Sequence, residues 1–348
     1  MTIRGMLIGC GPRGRHWARV LTEDDDIELV AFVDINPEVL AAMCDTYPDV
    51  PGFPSIDAAL GGTAVDFAVL VTPPDGHKEQ CLKLFTADLH VMAEKPLTLN
   101  ISDALEVVAK ARARNRKLGV SMNFRYLPVV QAYRHWIRKG RLGKPSYCLY
   151  HYAINRDGCR PGGNRYPLTL RDGMFIDQAI HHYDLMRFCF DAEIKNVTAR
   201  SWNPPWSMYQ SDSVVSTTFE LDNGMFCVYL GSLTGGWDEM KVNWRTDCAE
   251  GILMMQEIYS DLAFARTKDA KLTEIPIAKA TPYIDDTRQL LANFVKAVQG
   301  EAALECSGLD HLRTLIPTIA CMESRDRGVT INMNEFYREH GVDELWTE

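Results

Sequence analysis

The chain has 348 residues, a length that suggests about two domains, and its 46% hydrophobic and 24% charged content is that of an ordinary globular protein. A formal net charge of −9 leaves no basic footprint and argues against a nucleic-acid partner. No apolar run approaches membrane length, the first strand starts too close to the N-terminus for a signal sequence, and none of the ten cysteines is spaced C-x-x-C, so a reduced cytoplasmic protein is expected.

The apolar run Met6-Leu7-Ile8 predicts a strand, and Arg15 to Leu21 a helix, with Gly9-Cys10-Gly11-Pro12-Arg13-Gly14 between them. A turn this tight needs residues without a β-carbon. Gly9 lets the chain reverse, Gly11 lets a pyrophosphate approach the backbone, and Gly14 lets the helix pack close to its strand. The helix then aims its unpaired N–H groups and positive dipole end at phosphate. A second buried strand, Ile27 to Val33, ends in Asp34, where an acid commonly holds a ribose 2′-hydroxyl. That carboxylate would repel a 2′-phosphate, and no arginine follows it closely, so NAD is favoured over NADP. Pro37 to Tyr47 reads as a helix, Asp66 to Val71 as a strand closed by Thr72-Pro73-Pro74, and Asp75 can cap a helix through Phe85. Leu89 to Met92 is a strand leading to Glu94-Lys95-Pro96. Ser102 to Asn115 is a helix, and Lys117 to Met122 a strand ending at Asn123-Phe124-Arg125. Such alternation predicts a parallel, doubly wound sheet over residues 1–123.

Residues 124–348 change texture. A helix over Pro128 to Lys139 precedes a strand over Ser146 to Ile154, then a loop, 155–173, holding Arg156, Arg160, Arg165 and Arg171. Asp172 to Phe190 is a long helix. Strands follow over Ile194 to Trp202, in a hairpin from Ser213 to Leu230 turned by Asp222-Asn223-Gly224, and between 240 and 264. Helices near 285–299 and 308–325 and a short strand at Val329-Thr330-Ile331 complete an α+β domain with a large, mainly antiparallel sheet.

Two places carry chemistry. Lys95 lies just past a parallel strand's C-terminal end, where ligands bind in such sheets, and Pro96 biases it toward extended backbone. Asp177, His181 and Asp184 share one face of a helix at α spacing, a poor core face but one suited to proton transfer; His182 points about 100° away. His and Asp can also ligate zinc, but no matching Cys/His set appears elsewhere, so no metal is expected. The loop arginines suit a substrate carboxylate or phosphate, or simply a solvated loop. Trp202, Trp206, Trp237 and Trp244 suit sugar stacking, or the packing of a sheet face or subunit interface.

At these residues the chain resembles the glucose–fructose oxidoreductase / inositol dehydrogenase / MocA (Gfo/Idh/MocA) family over nearly its whole length. The resemblance rests on Gly9-x-Gly11-x-x-Gly14, on Thr72-Pro73-Pro74 with His77, on Glu94-Lys95-Pro96, on Asp177-x-x-x-His181-x-x-Asp184, and on the hairpin Phe219 to Gly224. It implies a Rossmann domain, an α/β domain whose sheet often forms the oligomer interface (a dimer or tetramer), and NAD(P)-dependent oxidation or reduction of a sugar, sugar acid, cyclitol or other polyol. Carried over by motif, Lys95, Asp177 and His181 are the catalytic set. Gly9, Gly11, Pro12, Arg13, Gly14, Asp34, Thr72, Pro73, His77, Glu94 and Lys95 surround the cofactor. Lys95, Asn123, Arg125, Arg156, Asp177 and His181 face substrate. Ala179, where the family usually has glycine, and Asp172-Gly173, in place of a glycine pair, line the substrate side and make analogy to any one member unsafe. Two alternatives share the fold: an NAD-recycling glycosidase acting by oxidation and elimination, and a non-catalytic cofactor-sensing regulator.

Overall fold

The structure, a computed structural model, describes residues 2–156, 166–235, 241–257, 261–269 and 271–342. The chain packs as two compact units, Met1–Tyr126 with Thr281–Leu312, and Leu127–Ala280 with Arg313–Glu348.

In the first unit, β1 (Ile3–Ile8), β2 (Ile27–Val33), β3 (Gly52–Phe53), β4 (Phe67–Leu70), β5 (His90–Ala93) and β6 (Leu118–Val120) form one sheet in the order β3-β2-β1-β4-β5-β6. Every pairing is parallel. Strands covered on both faces read as near-continuous apolar runs, which is why Met6–Ile8 of β1, Leu29–Val33 of β2 and all of β4 stand out in the sequence. Helix starts are equally local: the Asn36 side chain accepts from the N–H groups of Glu38 and Val39, Ser55 from Ala58, and Asn100 from Asp103. The strand order reverses between β1 and β4, and the crevice at that switch point lies beyond the strands' C-terminal ends.

The sequence sets one boundary at 123/124, whereas residues 281–312 pack with the first unit. Phe294, on the helix Asp285–Gln299, is fully buried with its ring 5.8 Å from that of Phe67. Val120, on edge strand β6, donates its N–H to the Cys306 carbonyl at 2.8 Å. The returning segment thus satisfies an edge and covers one end of the sheet's apolar core.

In the second unit, β7 (Pro145–Ala153), β8 (Ile194–Trp202), β9 (Val214–Leu221), β10 (Phe226–Ser232), β11 (Lys241–Cys248), β12 (Gly251–Glu257), β13 (Asp261–Arg266), β14 (Thr273–Ile275) and β15 (Ile331–Asn332) form a nine-stranded sheet ordered β14-β13-β12-β11-β7-β10-β9-β8-β15. Only the β7–β10 pair, among the described strands, is parallel. Gly224 (φ +85°) closes the expected β9–β10 hairpin. One sheet face is covered. His182, on the helix Ile180–Phe190, lies 4.7 Å from the rings of Tyr150 and Tyr152, and its Nδ1 is 2.8 Å from the Tyr229 hydroxyl. Trp244 is buried on the same face and stacks on Tyr133 at 4.3 Å, so it is a core residue; Trp202 and Trp206 are exposed, and Trp237 lies outside the described residues. The opposite face carries Tyr147 and Leu149 beside Phe226 and Val228, with Leu230 next along β10, each 39–49% exposed. Among the described residues no helix is long and apolar enough to cross a membrane.

Candidate active site

The glycine turn is built as its spacing predicts. Gly9 has φ +97°, and a β-carbon there would lie 2.5 Å from the Val71 carbonyl oxygen. A β-carbon on Gly14 would lie 2.1 Å from the Gly9 oxygen, while nothing comes within 4 Å of the same point on Gly11. Two glycines are therefore forced by packing, and the third borders open space. The helix that follows, Pro12–Thr22, has no side-chain cap and no acid in its first turn, which leaves its N-terminal N–H groups and dipole available to an anion. Asp34 stands at the end of β2, accepting from Cys10 N–H and Asn36 N–H, both at 2.8 Å. A carboxylate has about four acceptor positions, so hydroxyls can still be bound. Ile35, beside it, is 91% exposed, an apolar surface that the sequence did not single out. This set fits a dinucleotide.

The glycines give a direct expectation. Gly14→Ala should cost about 2–3 kcal/mol in chemical denaturation, because the clash is with backbone. Gly11→Ala should stay within about 0.5 kcal/mol of wild type yet weaken binding of NAD measured by calorimetry.

Glu94 and Arg13 form one cluster. Glu94 is buried, and its Oε1 accepts from Arg13 Nε and from Trp17 Nε1, both at 2.7 Å. Burial pushes this carboxyl up, but Arg13, Trp17 and neighbouring Lys95 outweigh it and hold it below its usual range. Arg13 also donates to the Tyr283 carbonyl (3.3 Å), Thr287 Oγ1 (3.1 Å) and Ser121 Oγ (3.5 Å). Its guanidinium is thus engaged by protein and ties the glycine-turn helix to Glu94 and to the segment around Tyr283. Lys95 follows Glu94 just past β5 and is half-buried.

Three residues expected at the ligand sit deeper. His77 is fully buried, with Nε2 2.8 Å from the Thr72 carbonyl and Nδ1 3.1 Å from the carbonyls of Pro96 and Leu97. Burial holds its pKa below that of free imidazole. It ties the Thr72-Pro73 turn to the Glu94-Lys95-Pro96 turn and has no surface to offer a cofactor. Thr72 itself donates to Gln80 at 2.6 Å, and Pro73 leads into the single turn Pro74–Gly76. Arg125 is buried in an ion pair with Asp310 at 2.6 Å, which accounts for its charge without a substrate. Asn123, buried, donates to Asp286, whose carboxyl burial raises above its usual range.

In the second unit the long helix expected over Asp172 to Phe190 is two pieces, a π-helical stretch Met174–Ala179 and an α-helix Ile180–Phe190. The wider π spacing breaks the single stripe expected from α periodicity, and such stretches mark functional positions in many helices. The Asp177 side chain keeps 29% of its surface exposed and lies 3.6 Å from Arg156 Nη1, while His181 is 6% exposed. Asp184 departs from the expectation. It is fully buried and accepts from Thr314 Oγ1 at 2.8 Å, with Arg187 Nη1 at 3.7 Å, so it belongs to a buried structural network. Of the loop arginines, Arg156 faces Asp177, Arg171 is exposed beside Asp172 at 3.5 Å, and Arg160 and Arg165 lie outside the described residues. Among the described residues no group of His, Cys, Asp and Glu could hold a metal ion.

Comparison with known proteins agrees with both halves. Residues 3–122 match the oxidoreductase family with an NAD-binding Rossmann fold, GFO_IDH_MocA, and residues 130–259 match the GFO/IDH/MocA C-terminal domain. The chain is 30% identical to inositol 2-dehydrogenase of Rhizobium meliloti over 57% of this chain and 58% of that one. It is 22% identical to 1,5-anhydro-D-fructose reductase of Ensifer adhaerens over 92% and 96%. An oxidoreductase from Agrobacterium radiobacter, solved with NAD+, L-tartaric acid and magnesium, shares the fold with a TM-score of 0.87 at 19% identity, over 96% and 99% of the two chains.

Proposed function

We propose a function from one premise: the chain belongs to the Gfo/Idh/MocA family of NAD-binding oxidoreductases. The reading is a dehydrogenase acting on a hydroxyl-bearing carbon of a sugar, sugar acid or cyclitol. Gly9, Gly11 and Gly14 with the uncapped helix hold the pyrophosphate, Asp34 the adenosine ribose, and Ile35 supports the base. Bound NAD supplies the hydride acceptor. His181 takes the hydroxyl proton, Asp177 orients that imidazole and stabilises its charged form, and Lys95 stabilises the developing alkoxide. Arg156 lies 3.6 Å from Asp177 and pairs with that acid, a use for this arginine other than the substrate contact expected of it.

The observation that carries the reading is the presence in one chain of two elements, an uncapped glycine turn with an acid at the next strand's end, and Asp177 on a π-helical stretch that runs directly into the helix bearing His181. The relatives named for inositol and anhydrofructose act on hydroxyl-rich rings, which supports the substrate class. Incubation with NAD and a panel of sugars, sugar acids and cyclitols, followed by NADH absorbance, tests it. NADH formed with at least one panel member is the expected result. Cleavage of glycosides without net NADH would replace this reading with oxidation and elimination.

The exposed face around Leu149 and Val228 is proposed as the contact between copies of the chain, being a contiguous apolar patch. Leu149→Glu should lower the mass found by light scattering to that of a smaller species while leaving the fold intact.

A further inference from the structure

Tyr283 stands where a glycine would be at ease. Its backbone has φ +63°, a left-handed conformation rarely adopted by a bulky aromatic residue. Such conformations persist where surrounding contacts fix them, and they gather at ligand sites. Here the fixing contacts are visible. The Tyr283 carbonyl accepts from Arg13 Nη1 at 3.3 Å and from Thr287 Oγ1 at 2.8 Å. Just before it, Thr281 N–H donates to the Asp285 carboxylate at 2.7 Å. The Tyr283 ring stacks on His16 with centroids 5.5 Å apart and planes 9° apart, and the Arg13 guanidinium lies 5.9 Å from its centroid. Both contacts are with the first turns of the glycine-turn helix, all within the first unit. Tyr283 nevertheless remains 41% exposed.

The strained backbone therefore sets an aromatic ring beside the uncapped helix end, where Gly11 borders open space. The groups around it are already engaged: Arg13 donates four hydrogen bonds to protein oxygens, and His16 spends one face on the ring. A fold that needed only the turn would be served as well by glycine; what tyrosine adds is the ring. We propose that Tyr283, carried on the segment that returns to the first unit, is a further NAD-binding residue, its ring forming a wall of the pyrophosphate side of the cofactor site. The inference rests on the NAD-binding reading of this unit and extends it to a residue far from the glycine motif in sequence.

The test uses the full-length protein without substrate. NAD affinity is measured by isothermal titration and the cofactor-free melting temperature by scanning fluorimetry, for wild type, Tyr283→Gly and Tyr283→Phe. Glycine relieves the backbone while losing the stacking on His16, so its melting temperature should stay close to wild type. Its NAD dissociation constant should rise about tenfold or more, a loss in the range of a well-placed aromatic contact. Phenylalanine keeps both ring and backbone and should bind within about twofold of wild type, the size of effect left when a wall is retained. A Tyr283→Gly protein with wild-type affinity would overturn the proposal. So would one whose affinity and melting temperature fall together, which marks a structural role, or a Tyr283→Phe protein as weak as the glycine variant. Failure of the wild type itself to bind NAD would instead sink the underlying reading.

Discussion

Replacing His181 by alanine is expected to lower turnover about 10²- to 10⁴-fold, the usual worth of a positioned general base. NAD affinity should be unchanged, because the elements assigned to the cofactor all belong to the first unit. The side chain is nearly buried, so truncation leaves a cavity; His181→Gln fills it and separates loss of chemistry from loss of packing. Both variants should lose turnover, and added imidazole should restore part of it to the alanine protein alone. Asp177→Asn should keep the ring but change its support, moving the acidic limb of the kcat/KM profile rather than abolishing activity. Lys95→Ala provides a check that the groups serve one step. If they do, the double variant Lys95→Ala/His181→Ala loses far less than the product of the single losses. An alanine protein that turns over within about threefold of wild type would remove His181 from the chemistry, since a base contributes far more than that.

How much of this was readable in the sequence follows from the range of the contacts involved. Gly9, Gly11, Gly14 and Asp34 are set by chain geometry within one strand–turn–helix and the next strand's end, and their spacing alone placed them. Arg13 and Arg125 looked equally available to a ligand, but their partners Glu94 and Asp310 lie 81 and 185 residues away, beyond any local pattern. His77 is similar: its ring joins two turns that meet only in the fold. The strand β3 has two residues, Gly52 and Phe53, too few to show a period. The helix Asp285–Gln299 has an apolar stripe through Leu290, Leu291, Phe294 and Val295, but a stripe announces burial without naming the core it joins. Asp184 departs from the expected Asp177–His181 face for another reason. The expectation assumes 3.6 residues per turn through a stretch that is π-helical, and it judges Asp184 by its chemistry when the arginine beside it is the deciding neighbour.

That arginine carries the largest expected loss of stability. Arg187 is buried, holds Glu193 with two bonds at 2.7 and 2.9 Å, donates to Thr314 at 2.8 Å, and lies 3.7 Å from buried Asp184. Arg187→Ala leaves the Asp184 charge deep in the protein with the Thr314 hydroxyl in place of a cation, and should cost about 3–5 kcal/mol in urea denaturation. If the uncompensated charge is the cause, Arg187→Met/Asp184→Asn should recover much of that loss, because the pair is then removed together. A double variant no more stable than Arg187→Ala would point to packing instead. The pH dependence follows from Glu193. Burial pushes its carboxyl up, but Arg187 and Arg313 overcome this and hold it below its ordinary range. A carboxyl lowered in the folded state contributes its full stability above its unfolded value and loses it as pH falls through the folded one. The gap between wild type and Arg187→Ala should therefore be widest at neutral pH and narrow as the pH falls below the ordinary carboxylate range, where Glu193 takes up its proton. Since the same helix carries His181, activity at low urea should survive in the variant and vanish together with the fold, which separates the arginine's structural role from the chemistry proposed for His181.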